Sequence, residues 1–180
     1  MKKLARFVLF TALASFASIA PAGTEIKMPT KKGFVAFTVE GEWPVLSLQM
    51  KYPIASAAFR IPNPADTGTS DSSNVVIALY DPQSAEARTA FKTPIKQYGP
   101  TPPKAEVMEK WTVYRQEAKQ GDTPYSILDA KRTGVADVSV SVRMIWPHLA
   151  ANAGDYDARM EGVFASVLQS IHGDLAPHSP

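Results

Sequence analysis

The sequence predicts an α+β domain, a mostly antiparallel sheet covered by a long C-terminal helix and a short second helix. Three observations predict it. Residues 111–146 hold three stretches of β-type residues joined by short turns. Residues 156–171 repeat large apolar side chains at helical spacing. Upstream, four more β-type stretches are separated by proline- and glycine-bearing breaks, with a single helix-type stretch among them.

The elements follow in chain order. Residues 23–32 (GTEIKMPTKK) are polar without a period and read as a flexible lead-in. GFVAFTVE, 33–40, is rich in β-branched and aromatic residues and reads as a strand. Leu46, Leu48, Met50 and Tyr52 alternate with Ser47, Gln49 and Lys51, the pattern of a half-buried strand ended by Pro53. Ala57, Phe59 and Ile61 continue the alternation up to Pro62. Residues 62–74 (PNPADTGTSDSSN) lack any large apolar side chain and read as a surface loop. VVIALY, 75–80, is apolar on both faces, as a central strand requires.

Ser84 is placed to cap a short helix reaching about Phe91, and Pro94 bounds it. Residues 98–104 (YGPTPPK) read as an irregular crossing. The meander comprises Trp111–Glu117, Tyr125–Lys131 and Asp137–Trp146, with turns at Gln120-Gly121-Asp122 and Thr133-Gly134. In its third strand Val138, Val140, Val142, Met144 and Trp146 face one way, and Ser139, Ser141 and Arg143 the other. Tyr156, Met160, Phe164, Val167 and Ile171 then mark an amphipathic helix. Asp155 and Asp157 sit at its positive end, Gly173 is placed to stop it, and 174–180 read as a tail.

The first 22 residues bear on location. Lys2, Lys3 and Arg6 precede an apolar run from Phe7 to about Ala20, and Ala20-Pro21-Ala22 supplies small residues for cleavage before Gly23. This is the pattern of a secretory signal peptide. The run is shorter than the roughly 20 residues that span a bilayer. A lipid anchor needs a cysteine, and the chain of 180 residues has none. The expectation is therefore an exported, periplasmic protein without a stable membrane anchor, folded as a single domain over 33–173. Export also alters the electrostatics. The whole chain carries +2, but loss of the three leader cations leaves 16 basic residues against 17 acidic ones.

Few chemistries survive inspection. The absent cysteines exclude disulfides, thiolate metal sites and thiol nucleophiles. Of three histidines, His178 lies in the tail and His172 at a helix end, leaving His148 as the one plausible base. No G-x-S-x-G or H-E-x-x-H accompanies it. Asp66 to Asn74 offers oxygen ligands for a hard cation. An EF-hand reading fails, because its sixth position is Asp71 rather than glycine and its twelfth is Ile77 rather than glutamate. The carboxylate pairs Glu106/Glu109 and Asp155/Asp157 read as solvated or helix-terminal charges, and no phosphate-cradling glycine motif occurs. Between 88 and 119, seven cations face three anions among aromatic residues, yet the exported chain lacks the positive field that nucleic acid requires. No catalytic residue, metal site or cofactor is expected.

The final third, from VSVRMIWPHL to YDARMEGVFASVLQSI, resembles the ending of PsbP-like α/β domains. The resemblance rests on the apolar stripe Phe164, Val167, Leu168, Ser170 and Ile171 on the helix after the sheet. It implies that fold, whose members include accessory assembly factors. Some periplasmic immunity proteins that neutralise type VI secretion effectors are similar. No functional residue transfers with it, and fold alone does not imply function.

The resulting expectation is a non-enzymatic periplasmic protein-binding module, in its most specific form an inhibitor or immunity protein against a secreted, envelope-targeting effector. The proline-bounded loops are where recognition is expected, with Asp66, Ser70, Asp71, Asn74 and Tyr98 as binding residues. The alternative is a small-ligand or envelope-lipid binder with a pocket between sheet and helix lined by Trp43, Trp111 or Trp146. An envelope hydrolase built on His148 is the third class.

Overall fold

The structure is a computed structural model that describes residues 23–62, 73–148 and 153–175. The expected leader, most of the 62–74 loop and the end of the expected tail lie outside those residues. Among the described residues ten strands and two helices follow one another as β1 (Thr24–Pro29), β2 (Gly33–Val39), β3 (Val45–Gln49), β4 (Ile54–Arg60), β5 (Asn74–Tyr80), α1 (Ala85–Lys92), β6 (Lys104–Met108), β7 (Trp111–Gln120), β8 (Thr123–Val135), β9 (Val138–Pro147), α2 (Ala153–Ser170) and β10 (His172–Leu175). This is an α+β fold dominated by antiparallel pairing. Seven strands form one sheet in the order β3-β4-β5-β9-β8-β7-β6, and β1-β2-β10 form a second, smaller one.

The two faces of the large sheet differ because its central strands alternate in register. Val75, Ile77 and Leu79 of β5 lie opposite Met144, Val142 and Val140 of β9, and Leu128 and Ala130 of β8 continue these rows. All of them are buried. This inner face is closed by two elements. Helix α2 packs on β2 and β9, inserting Tyr156, Met160, Val163, Phe164, Val167 and Leu168, and Ile171 just beyond it joins the same core. The small sheet adds Met28, Val35 and Phe37, and Phe37 meets Phe59 of β4 edge-to-face at 6.0 Å. The Ser170 hydroxyl receives the Thr38 amide at 2.9 Å, fastening the end of α2 to β2.

Helix α1 lies on the opposite, outer face, which corrects the expectation of two helices on one apolar face. Phe91 packs on Tyr80, an outward residue of β5, at 5.4 Å between ring centroids. Ser84 caps α1 as expected, accepting from the Ala87 amide at 3.3 Å.

Other departures have local causes. Residues 24–29 form a strand rather than a flexible lead-in, because Met28 is inserted into the core while Glu25 and Lys27 pair outside at 3.1 Å. Charged outward positions hide the period. Residues 172–175 likewise pair with β2 instead of starting a tail. Gly173 lets this strand pass close to the β8–β9 turn, since a Cβ there would sit 2.7 Å from the Ala136 Cβ. Gly134, at φ +70°, forms a bulge within β8 rather than the turn, which falls at Ala136-Asp137. Strand β6 had no counterpart in the sequence reading, and every residue of it is exposed. Strand β3 is fully exposed rather than half-buried.

Lys31 and Asp81 join the β1–β2 turn to the end of β5 at 2.5 Å. The hydrogen bond from Lys31, aided by the Gln83 amide, holds the Asp81 carboxyl below its ordinary range. The folded pKa is thus the lower one, so the associated stability is fully present above the ordinary value of 3.8 and is lost as pH falls through the folded pKa. Melting temperatures of the wild type and Asp81→Asn are expected to differ at pH 7 and to converge in acid.

Candidate functional site

On the outer face, rows of side chains run across the strands by register. Val76, Arg143, Asp129 and Tyr114 form one row, and Ala78, Ser141, Lys131 and Thr112 the next. A third contains Asn74, Ile145, Ile127 and Gln116. Charged residues occupy the middle of a sheet face, where burial penalises them unless they are paired. Arg143 donates from Nε to Asp129 Oδ1 at 2.7 Å. Burial pulls the Arg143 guanidinium down, but the hydrogen bond and the charge of Asp129, together with Tyr98, more than offset this and leave its pKa raised. Lys131 donates to the carbonyls of Phe91 and Thr93 at 2.6 and 2.8 Å, closing the C-terminal end of α1.

The segment 93–103 crosses this face as an irregular strap, as expected for 98–104. Gln116 holds it at two points, donating to the Lys96 carbonyl at 3.0 Å and accepting the Tyr98 amide at 3.1 Å. Gly99 allows the contact, because a Cβ there would stand 2.9 Å from the Glu117 carbonyl oxygen. The Tyr98 ring lies over the Arg143 guanidinium at 5.9 Å and under the Lys96 ammonium at 4.9 Å.

A cleft lies on each side of the strap. One, of about 400 Å³, is lined by Val76, Tyr80, Ile95, Asp129, Lys131 and Arg143 among others. The other, of about 360 Å³, is lined by Asn74, Tyr98, Tyr125, Ile127 and Ile145 among others. Two of the residues expected to bind, Asn74 and Tyr98, are therefore brought to one cleft. Asp66, Ser70 and Asp71 lie outside the described residues. Between sheet and α2 the space beside Trp111 is only about 20 Å³. Trp43, Trp111 and Trp146 are buried in the core, so the pocket expected to lie between sheet and helix is replaced by clefts on the far side of the sheet.

His148 gains partners that its sequence neighbourhood did not reveal. Its Nε2 lies 2.7 Å from the Ser126 hydroxyl and its Nδ1 3.1 Å from Asp157 Oδ2. Asp157 also accepts the Trp146 indole N–H at 2.6 Å. The order Ser–His–Asp matches that of a hydrolytic triad, but the backbone does not. A nucleophile needs free N–H groups aimed at the developing oxyanion, usually beside a sharp turn. Ser126 and Ile127 instead sit within the β7–β8–β9 ladders, which take up their amides. The cluster ties the end of the sheet to α2. Ser126→Ala and His148→Ala are each expected to lower stability by about 1 kcal/mol. A serine-reactive fluorophosphonate is expected to leave Ser126 unlabelled; covalent capture there, read by intact mass, would restore the hydrolase class.

The open edges of the large sheet complete the surface. Strand β3 forms one edge, and Val45, Leu46 and Leu48 on it are all exposed, followed by Met50 and Tyr52. Strand β6 forms the other, with Val107 83% exposed. Among the described residues, no group of three His, Asp or Glu side chains is placed to hold a metal ion. No described helix is long and apolar enough to cross a membrane.

No protein-family model matches the chain, and no curated protein sequence matches it. Among solved structures, one similar chain is LpqN of Mycobacterium tuberculosis, described as involved in cell envelope biogenesis. It is 8% identical, with a TM-score of 0.45 over 84% of this chain and 91% of that one. Agreement at that level carries no functional argument.

Proposed function

We propose that the chain is a non-enzymatic protein-binding module, exported to the periplasm by its leader, that takes up an extended segment of its partner along β3. The observation that carries this is the state of that strand. Edge strands present unpaired backbone N–H and C=O groups, and soluble proteins normally blunt them with charge, proline or a covering element. Here Pro44 and a register shift between Val45 and Ser47 mark only the start of the strand, while Val45, Leu46 and Leu48 stand exposed on the edge with no charged residue among the five of β3. An edge of this kind pairs with an added strand through main-chain hydrogen bonds, while its side chains select the partner's apolar positions. The PsbP-like resemblance and an inhibitory or immunity role against an envelope-targeting effector are the most specific form of the same proposal.

The test is capture of a partner by the mature chain from an envelope fraction, together with its own oligomeric state. The expected result is a monomer that retains one partner in stoichiometric amount. A β3-paired dimer that binds nothing else would overturn the proposal by assigning the edge to a second copy of the chain.

A further inference from the structure

The strap cleft of about 400 Å³ contains polar groups that strand addition leaves unused. Asp129 is 5% exposed, and only one of its carboxylate oxygens is engaged, Oδ1 with Arg143. Oδ2 is buried and has no hydrogen-bond partner. Sealed from solvent, that oxygen is not open to a ligand, so Asp129 serves the cleft as the partner that holds Arg143. Opposite it, charge is in excess. Lys96, Lys131 and Arg143 line the cleft against the single carboxylate of Asp129. Arg143 Nη1 reaches the Tyr98 hydroxyl only at 3.4 Å. Burial pulls the Lys131 pKa down. The hydroxyls of Tyr80 and Ser141, 3.2 Å apart, lie on the same lining.

We infer that this cleft binds a small hydroxylated organic anion, its carboxylate or phosphate set against Lys131, Lys96 and the outer guanidinium nitrogens of Arg143, and its hydroxyls facing those of Tyr80 and Ser141. That is the chemistry of an acidic or phosphorylated sugar. The volume falls within the usual range for small-molecule sites, roughly 300–1,000 Å³. The cleft and β3 are separate surfaces, so this inference stands apart from the strand-addition proposal, and Leu48→Lys leaves it intact.

The experiment is an NMR titration of the mature protein with D-glucuronate and with glucose 6-phosphate up to about 10 mM, against D-glucose and inorganic phosphate as controls. Saturable shifts of the Lys131, Ser141 and Arg143 amides are expected with at least one sugar anion. Each control supplies half of the chemistry and is expected to bind at least about tenfold more weakly. Lys96→Ala, altering an exposed side chain that does not threaten folding, is expected to weaken sugar-anion binding about threefold. Absence of saturable shifts at these residues with either sugar anion overturns the inference. Equal affinity for either control, or indifference of binding to Lys96→Ala, does so as well.

Discussion

Trp146→Ala is expected to lower the unfolding free energy by about 3–5 kcal/mol, the largest loss from any single side chain considered. Trp146 is the largest fully buried residue, on the inner face of β9 between the meander and α2. Truncation opens a cavity under a rigid sheet that cannot collapse to fill it. It also removes the indole N–H from Asp157 Oδ1, at 2.6 Å, leaving that carboxylate dependent on His148. The two contributions can be separated. Trp146→Phe keeps most of the apolar contact and loses the hydrogen bond, and is expected to cost about 1–2 kcal/mol. Equilibrium denaturation of the three proteins supplies the comparison, and equal losses for both variants would show that packing is the lesser part.

Leu48→Lys is expected to weaken partner binding by at least about tenfold while moving stability by less than about 0.5 kcal/mol. The separation arises because Leu48 is 57% exposed and pairs only with Ala57 of β4. The folded chain gains little from a side chain already in water. A partner strand lying along β3 would bury it, and a lysine at the same position would place an ammonium in the seam. Lys51→Ala, just beyond the strand, serves as the control for a nonspecific change of charge. Titration of the captured partner by calorimetry, with melting curves alongside, reads both effects. A variant that binds normally would remove β3 from the interface.

The strands with alternating patterns were legible from sequence, because burial on one face imposes a period of two. The third meander strand is the clearest example, with Val138 to Trp146 buried alternately against α2. The Ser84 cap and the α2 stripe were legible for equally local reasons. What the sequence did not reveal depends on neighbours. Strand β3 has the same alternation as a half-buried strand, yet the inner cover meets β4 through the Phe37–Phe59 contact and leaves β3 exposed. Period predicts facing, while only the tertiary arrangement decides what is faced.

The candidate site was legible only in part, for the same reason. Tyr98 and Asn74 were singled out as loop residues, and the fold brings them to one cleft. Asp129, Lys131 and Arg143 were not singled out, since each looks like an ordinary wet-face residue in its own strand. Their convergence requires the β8–β9 register and the strap held by Gln116. Ser126 and Asp157 escaped notice beside His148 because they are distant in sequence and joined only by the packing of α2 on the sheet end.

Strand addition at β3 is tested most directly by hydrogen–deuterium exchange of the mature chain with and without its captured partner. The account predicts new protection of the amides of residues 45–49, on a strand that ends the sheet among the described residues. Unchanged exchange across β3, with protection appearing elsewhere on the chain, would contradict it.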